Sequence, residues 1–282
     1  MIKAAVLGSP IQHSLSPVIH QRAYEILGWN WSYERHEVSS GQLKDFLDSN
    51  KGQFRGLSLT MPLKEEALSL IDSVSDLGKR VNGVNTLVFD ELQVRGENTD
   101  VQGFTDALSF HKVSIPQVVT VLGGGATARA AVAAVDGLAQ RINVFSRSAH
   151  RAKALVNSAK SSIVTVYEWG KLLDNESSWE SADLFGLGAE LVIATTPLGA
   201  TDQLQITGIV HTLFESLYNP WPTDLLRNWR DSGGFGIDGL DLLVWQAIGQ
   251  LELMELNTDS VRERRTELYQ EMRASALKFI AK

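Results

Sequence analysis

Val118-Val119-Thr120-Val121-Leu122 is a β-favouring run that passes straight into Gly123-Gly124-Gly125-Ala126-Thr127-Ala128. No other stretch restricts the fold as much. Three consecutive glycines must turn the chain, the alanine-rich segment to Ala139 reads as a helix, and a second strand, Ile142–Phe145, follows at the distance one helix requires. The spacing is G-x-G-x-x-A. Gly123 permits the tight turn, Gly125 lets backbone approach a pyrophosphate, and Ala128 allows close helix–strand packing. The exposed N–H groups and positive dipole end of the helix then suit phosphate. The segment is a dinucleotide-binding strand–helix–strand unit, with Gly123, Gly124, Gly125 and Ala126 as its cofactor turn.

The end of the second strand tells which dinucleotide. An NAD site usually carries an acid there for the ribose 2′-hydroxyl. This chain has Ser146-Arg147-Ser148, with Arg151 one turn on. Two guanidinium groups and a serine hydroxyl suit a 2′-phosphate, because charge-assisted bidentate bonds need an anionic partner. Arg147, Ser148 and Arg151 therefore favour NADP over NAD.

Around this unit, strand-like and helical runs alternate. Strands are predicted at Ala4–Leu7, Tyr33–Val38, Gly56–Leu59 and Thr86–Phe89, the last joined through Asp90-Glu91 to Leu92–Arg95. Ser16 before Pro17 predicts a helix cap, Gly28 a helix stop, and Ser40 a second cap. Further strands are predicted at Val164–Tyr167, Leu191–Thr195 and Ile209–Leu213, in a parallel sheet covered by helices. Beyond Gly239 two helices are predicted, Leu242–Glu255 and Asp259–Ile280. The fold class is α/β with two domains. The expected boundaries are 1–101 for an N-terminal α/β substrate domain, 102–239 for a Rossmann-like NADP-binding domain, and 240–282 for C-terminal helices returning to the first domain.

Composition removes several function classes. The 282 residues are 44% hydrophobic and 21% charged, as in a globular enzyme. A formal net charge of −7 argues against nucleic acid or an anionic membrane as the main partner. There is no cysteine, hence no disulfide framework and no thiol nucleophile. The six histidines show no metal-ligand spacing, and a Gly-x-Ser-x-Gly elbow is absent. The first residues lack the long apolar run of a signal peptide or membrane span, so a cytoplasmic location is expected.

Two separated segments bring chemistry to this frame, Leu59-Thr60-Met61-Pro62-Leu63-Lys64 and Gly96-Glu97-Asn98-Thr99-Asp100. Each places a charged residue near a predicted helix start. A cation is disfavoured at the positive end of a helix dipole, so Lys64 stands there for a chemical reason. An acid–base pair ahead of a nucleotide fold reads as a dehydrogenase.

With these motifs in view, the chain resembles the shikimate dehydrogenases from Leu7 to about Glu255. Gly8-Ser9-Pro10-Ile11-Gln12-His13-Ser14-Leu15-Ser16-Pro17 is similar to the family's substrate-binding opening, which implies that Ser14 and Ser16 hold the ligand's carboxylate. The threonine–lysine motif matches Thr60 and Lys64, and two asparagine–threonine motifs match Gly83-Val84-Asn85-Thr86 and Asn98-Thr99-Asp100. Near the C-terminus, Gly239-Leu240-Asp241-Leu242-Leu243-Val244-Trp245-Gln246-Ala247 resembles the segment that closes the active site. The resemblance implies that Gly239 approaches the nicotinamide, that Gln246, Thr60 and Asn85 bind substrate, and that Tyr218 lies near the ligand.

The implied reaction is reversible reduction of 3-dehydroshikimate to shikimate with NADPH, in a monomer or homodimer. Lys64 and Asp100 are its catalytic pair, and whether the lysine transfers the proton itself or mainly stabilises charge stays open. The chain departs from the family pattern at Ala126-Thr127, Ser146, Ala194-Thr195-Thr196-Pro197 and Glu215-Ser216, all on the cofactor side. A quinate/shikimate dehydrogenase and a non-catalytic metabolite-binding regulator are the alternatives on the same scaffold.

Overall fold

The computed structural model describes residues 1–90, 93–172, 190–204, 211–256 and 259–281. It separates into two units, Met1–Gly103 with Leu243–Lys282, and Phe104–Leu242.

The first unit opens with β1 (Ile2–Gly8), α1 (Ser16–Leu27), β2 (Trp31–Glu37), α2 (Leu43–Ser49) and β3 (Gly56–Leu59). It continues with α3 (Leu63–Glu66), β4 (Ser73–Val74), α4 (Asp76–Arg80), β5 (Thr86–Phe89), β6 (Val94–Glu97) and the start of α5 (Asp100–Phe110). The strands form one sheet in the order β2-β1-β3-β5-β6-β4. β2, β1 and β3 run parallel, and β5 runs antiparallel to both β3 and β6. Under the sheet, Ala5, Leu7, Leu43, Leu57, Leu59, Leu63 and Leu87 make one buried cluster.

That cluster explains α3. A helix of four residues has no stability of its own. Leu63, fully buried, pins it to the core. Glu66 ties its other end to α2, accepting from the Gly41 N–H at 2.9 Å and the Leu43 N–H at 3.3 Å.

The same contacts correct the expected cap at Ser40. α2 has Gln42 at its N-cap, without a side-chain cap bond. Ser40 instead donates its hydroxyl to Glu66 at 3.3 Å, so the carboxylate takes over the helix start. Ser16 is also not a cap. α1 begins at Ser16 itself, with Leu15 at the N-cap and Pro17 within the first turn. The Leu15 carbonyl accepts from Ile19 N–H, and the Ser14 hydroxyl takes Ser16 N–H at 3.3 Å. Gly28 does end α1 in the left-handed conformation, φ 68°.

Among the described residues β6 runs from Val94, whose amide bonds Asp72 at 2.7 Å, to Glu97, and pairs with β5 along that length. Glu91 and Leu92 of the expected hairpin lie outside the described residues, as do Ile209 and Val210 of the expected strand near 210.

The second unit is a Rossmann-like βαβ array. Its elements are β7 (Val118–Leu122), α6 (Ala126–Val135), β8 (Arg141–Ser146), α7 (Ala152–Asn157), β9 (Ile163–Glu168), β10 (Leu191–Ala194), β11 (Thr212–Glu215), α8 (Asp224–Asp231) and β12 (Phe235–Ile237). All five strand pairings are parallel, in the order β12-β11-β10-β7-β8-β9. Strand order reverses between β7 and β10. In such sheets the ligand crevice lies at that reversal, beyond the carboxyl ends of the strands.

α9 (Gly239–Met254) leads out of the second unit, and its residues from Leu243 onward belong to the first. The expected final helix is broken in two, α10 (Ser260–Glu263) and α11 (Arg265–Ile280). Arg264 causes the break. It sits at φ −113°, ψ 15°, while its guanidinium holds Glu267 at 2.9 Å and the Ile26 carbonyl at the end of α1 at 2.7 Å. A cation at a helix C-terminus is favoured by the dipole, so this contact seats α11 on α1. Trp245 is a core residue here, buried and stacked on Tyr269 at 4.7 Å.

Candidate active site

The expected catalytic pair, Lys64 and Asp100, lies in the first unit. Lys64, in the first turn of α3, places Nζ 2.5 Å from Asp100 Oδ2 at the start of α5. Both side chains are largely buried, 15% and 6% exposed, so this is not a solvent-screened surface pair. Asp100 opens the first turn of α5, where an acidic side chain complements the helix dipole. Asn98 completes the start of α5, its Oδ1 accepting from Asp100 N–H at 3.1 Å and Val101 N–H at 3.3 Å.

Asn85 is the hub beside them. Its Nδ2 donates to Asp100 Oδ1 at 2.8 Å, to Thr99 Oγ1 at 3.0 Å and to Gln246 Oε1 at 3.4 Å. Its Oδ1 accepts from Thr99 N–H at 2.8 Å and from Thr86 Oγ1 at 3.0 Å. Gln246 also donates to the Leu243 carbonyl at 2.7 Å, which fixes its amide on α9. A lysine, a carboxylate and two primary amides are thus held in one buried cluster. Such a cluster can give up a proton and orient a polyhydroxylated ligand.

The topology gathers the other expected residues at the same sheet edge. β1 and β3 are parallel neighbours, so the loops after Gly8 and after Leu59 leave together, and Ser9 N–H bonds the Met61 carbonyl at 3.0 Å. Asn85 enters β5 there, its carbonyl accepting from Leu59 N–H at 2.8 Å. Thr60 packs so closely on Gly8 that a side chain at position 8 would meet the Thr60 methyl group, and the Met61 carbonyl at 2.9 Å.

Ser14 and Ser16 are buried at the entry to α1. Behind them His20 shares a hydrogen bond with the Ser16 carbonyl at 2.9 Å and stacks on Tyr33 at 3.9 Å. A carbonyl only accepts, so Nδ1 carries a proton. Burial lowers the His20 pKa to about 4.

The second unit holds the glycine turn. Gly123 has φ +122°, a conformation side chains rarely adopt, and it lies against Thr195, whose hydroxyl donates to the Leu122 carbonyl at 2.9 Å. A Cβ at Gly124 would run into Ser146, its own Cβ only 3.1 Å away. Two departures from the family pattern, Thr195 and Ser146, are therefore what presses on these glycines. Gly125 caps α6 without a side-chain hydrogen bond, so the first N–H groups, from Ala126 on, point out of the helix start. The Arg151 guanidinium nitrogen comes within 3.6 Å of where a Gly125 Cβ would stand. Ser148 is fixed by its N–H on Ser146 Oγ at 3.2 Å, and Arg147 is exposed. The cradle, the bare helix start and the flanking guanidinium fit a dinucleotide phosphate.

Gly239 and Tyr218 belong to this unit as well. A Cβ at Gly239 would meet backbone, including the Ser216 carbonyl at 2.5 Å, so the start of α9 packs on the turn after β11. Asp238 and Asp241 cap that start reciprocally, through Leu240 N–H at 3.1 Å and Asp238 N–H at 3.3 Å. Tyr218 is partly buried on the same turn.

Glu215 governs the turn, a role that sequence reasoning missed. It is 1% exposed and accepts from Leu217 N–H at 3.3 Å and Thr223 Oγ1 at 3.4 Å. Burial raises its pKa to about 7. Gln250 was missed too, although it lies one helical turn beyond Gln246 and so on the same face of α9.

A buried lysine–carboxylate pair in one unit and a glycine-lined helix start at a sheet reversal in the other define an α/β protein of the nucleotide-dependent oxidoreductase class. Residues 6–87 match the shikimate dehydrogenase substrate binding domain. The shikimate dehydrogenase (NADP(+)) of Caulobacter vibrioides is 33% identical over 261 residues, 89% of this chain and 88% of that protein. The chain belongs to the shikimate dehydrogenase family. Among solved structures, the Thermus thermophilus shikimate 5-dehydrogenase in complex with shikimate superposes with a TM-score of 0.82 at 30% identity, covering 100% of each chain. The same enzyme in complex with NADP(H) and shikimate gives 0.77 at 30% identity, covering 98% of this chain and 100% of that one.

Proposed function

We propose that this chain catalyses the reversible, NADP-dependent reduction of 3-dehydroshikimate to shikimate. The observation that carries this reading is the buried Lys64–Asp100 pair, at 2.5 Å, tied to Asn85. The first unit is the substrate side, and the second unit holds the dinucleotide.

Ser14 and Ser16 bind the substrate carboxylate, and Thr60, Asn85, Gln246 and Tyr218 orient its ring. Asp100 accepts a hydrogen bond from a substrate hydroxyl and keeps Lys64 in place. Lys64 gives a proton to the alkoxide oxygen as the C3 carbonyl is reduced, and its neutral amine takes that proton back in the oxidation direction. Gly123, Gly124, Gly125 and Ala126 cradle the pyrophosphate, Arg147, Ser148 and Arg151 hold the 2′-phosphate, and Gly239 lies by the nicotinamide. NADPH supplies the hydride.

The test is absorbance at the nicotinamide band, with NADP⁺ or NAD⁺ and shikimate or quinate. NADP⁺ is expected to be reduced with shikimate, and Lys64→Ala to slow turnover about 100- to 10,000-fold while shikimate still binds. Folded protein that binds shikimate and reduces neither cofactor would overturn the reading.

A further inference from the structure

Asn85 decides what Asp100 faces. While its nitrogen points to Asp100 Oδ1, the carboxylate receives a proton donor. Were the amide turned over, two acceptors would oppose each other. Thr99 N–H, on Asn85 Oδ1, is one determinant of that orientation. A second one runs through the interior of the first unit, on the side away from Lys64.

Tyr33 OH donates to Ser58 Oγ at 2.5 Å, and Ser58 Oγ donates to Gln250 Oε1 at 2.8 Å. Gln250 Nε2 donates to Thr86 Oγ1 and to the Asn85 carbonyl, both at 3.2 Å. Thr86 Oγ1 donates to Asn85 Oδ1 at 3.0 Å, and Asn85 Nδ2 donates to Asp100 Oδ1 at 2.8 Å. Each hydroxyl has one proton, so a hydroxyl that accepts from behind must give its own proton forward. The direction is set at the source. Burial pushes the Tyr33 phenol well above the usual tyrosine range, so it stays a donor. Tyr33, Ser58, Gln250, Thr86 and Asn85 are all buried, which leaves no bulk water to reverse a link.

We propose that Gln250 is a positioning residue for the reacting pair, passing the donor direction set by Tyr33 and Ser58 through Thr86 to Asn85, so that Asn85 presents its nitrogen to Asp100. The proposal rests on the assignment of Lys64 and Asp100 as the reacting pair. Gln250 suits the role because one side chain both accepts from Ser58 and donates to Thr86. A methionine of similar length accepts only weakly and donates nothing, and a leucine could do neither.

Two readouts on the full-length protein test it. The first needs no turnover: the side-chain NH₂ pair of Asn85 in ¹H–¹⁵N spectra of the ligand-free protein. This pair should shift and broaden in Gln250→Met and Gln250→Leu, as its bond to the carboxylate loosens. The second is kinetic. Gln250→Met should lower kcat about 2- to 13-fold, the scale of one lost net hydrogen bond, with KM for shikimate changed less than about threefold. Tyr33→Phe should lower kcat by about two- to threefold, a loss that vanishes once Gln250 is leucine.

An Asn85 pair that keeps its position in a folded Gln250 variant overturns the proposal. So do Tyr33 and Gln250 losses that simply multiply, because the residues then act independently. Gln250→Met keeps an unbranched side chain of similar length and serves if the leucine variant does not fold. A wild-type protein without NADP⁺ reduction would count against the catalytic reading, and the Asn85 spectrum would still judge the chain of donors.

Discussion

Replacing Glu215 with glutamine should change the pH dependence of stability in a calculable way. Burial raises the folded-state pKa of this carboxyl from its ordinary 4.5 to about 7, against the lowering effect of the Leu217 and Ser216 N–H groups and the Thr223 hydroxyl. Below pH 4.5 the group is protonated in both folded and unfolded chains. Between 4.5 and 7 the unfolded chain ionises while the folded one keeps its proton, so the stability contributed by the neutral carboxyl is lost as pH rises. Above 7 both are ionised and the loss is complete. At about 1.4 kcal/mol per pH unit, the total is about 3 kcal/mol. Glutamine imitates the neutral acid and does not titrate.

The assay is denaturant unfolding of the wild type and Glu215→Gln in parallel from pH 4 to pH 8. The other titrating groups are common to both proteins and cancel in the difference. The variant should gain on the wild type by about 3 kcal/mol between pH 4.5 and pH 7.5. A difference that stays flat over this range would refute the claim that burial controls Glu215.

Two further outcomes are expected. Burial lowers the His20 pKa from 6.5 to about 4, so the stability of its neutral form is fully present above pH 6.5 and falls as pH drops toward 4. Acid unfolding should accordingly be shallower by about 3 kcal/mol in His20→Gln relative to wild type, measured between these two pH values. Under the proposed role of Arg151 in holding the 2′-phosphate, Arg151→Ala should raise KM for NADP⁺ about tenfold and change KM for NAD⁺ much less; steady-state kinetics with both cofactors checks this.

The legible parts of this molecule were those written in local patterns. The β7 turn needs glycine at 123 for its positive φ and at 124 for its closeness to Ser146, and a strand before and a helix after mark the turn between them. Lys64 could be singled out because a cation in a first helical turn contradicts local preference. What escaped was set by residues far away in sequence. Ser40 looks like a cap, yet Glu66 takes the start of α2 from more than twenty residues downstream. Ser16 before Pro17 looks like a cap as well, but the same pair fits a helix that starts one residue earlier. Nothing local marks Arg264 as a break, since its partner carbonyl belongs to Ile26 on α1. Gln250 shares a face with Gln246, but its polar role exists only because Tyr33 and Ser58 are buried beside it.

The first unit is assembled from two stretches of chain, and Phe104–Leu242 come between them. During synthesis the second unit is complete in sequence while the first still lacks Leu243–Lys282. Until residue 250 is made, Ser58, Thr86 and the Asn85 carbonyl lack their Gln250 partner, and α1 lacks α11. Closing the first unit must therefore wait for the last part of the chain and bridge a loop of well over a hundred residues, at an entropic cost that grows only logarithmically with length. Lys64 and Asp100 are encoded early, yet their surroundings become dry only once Leu243 and the residues after it have been made.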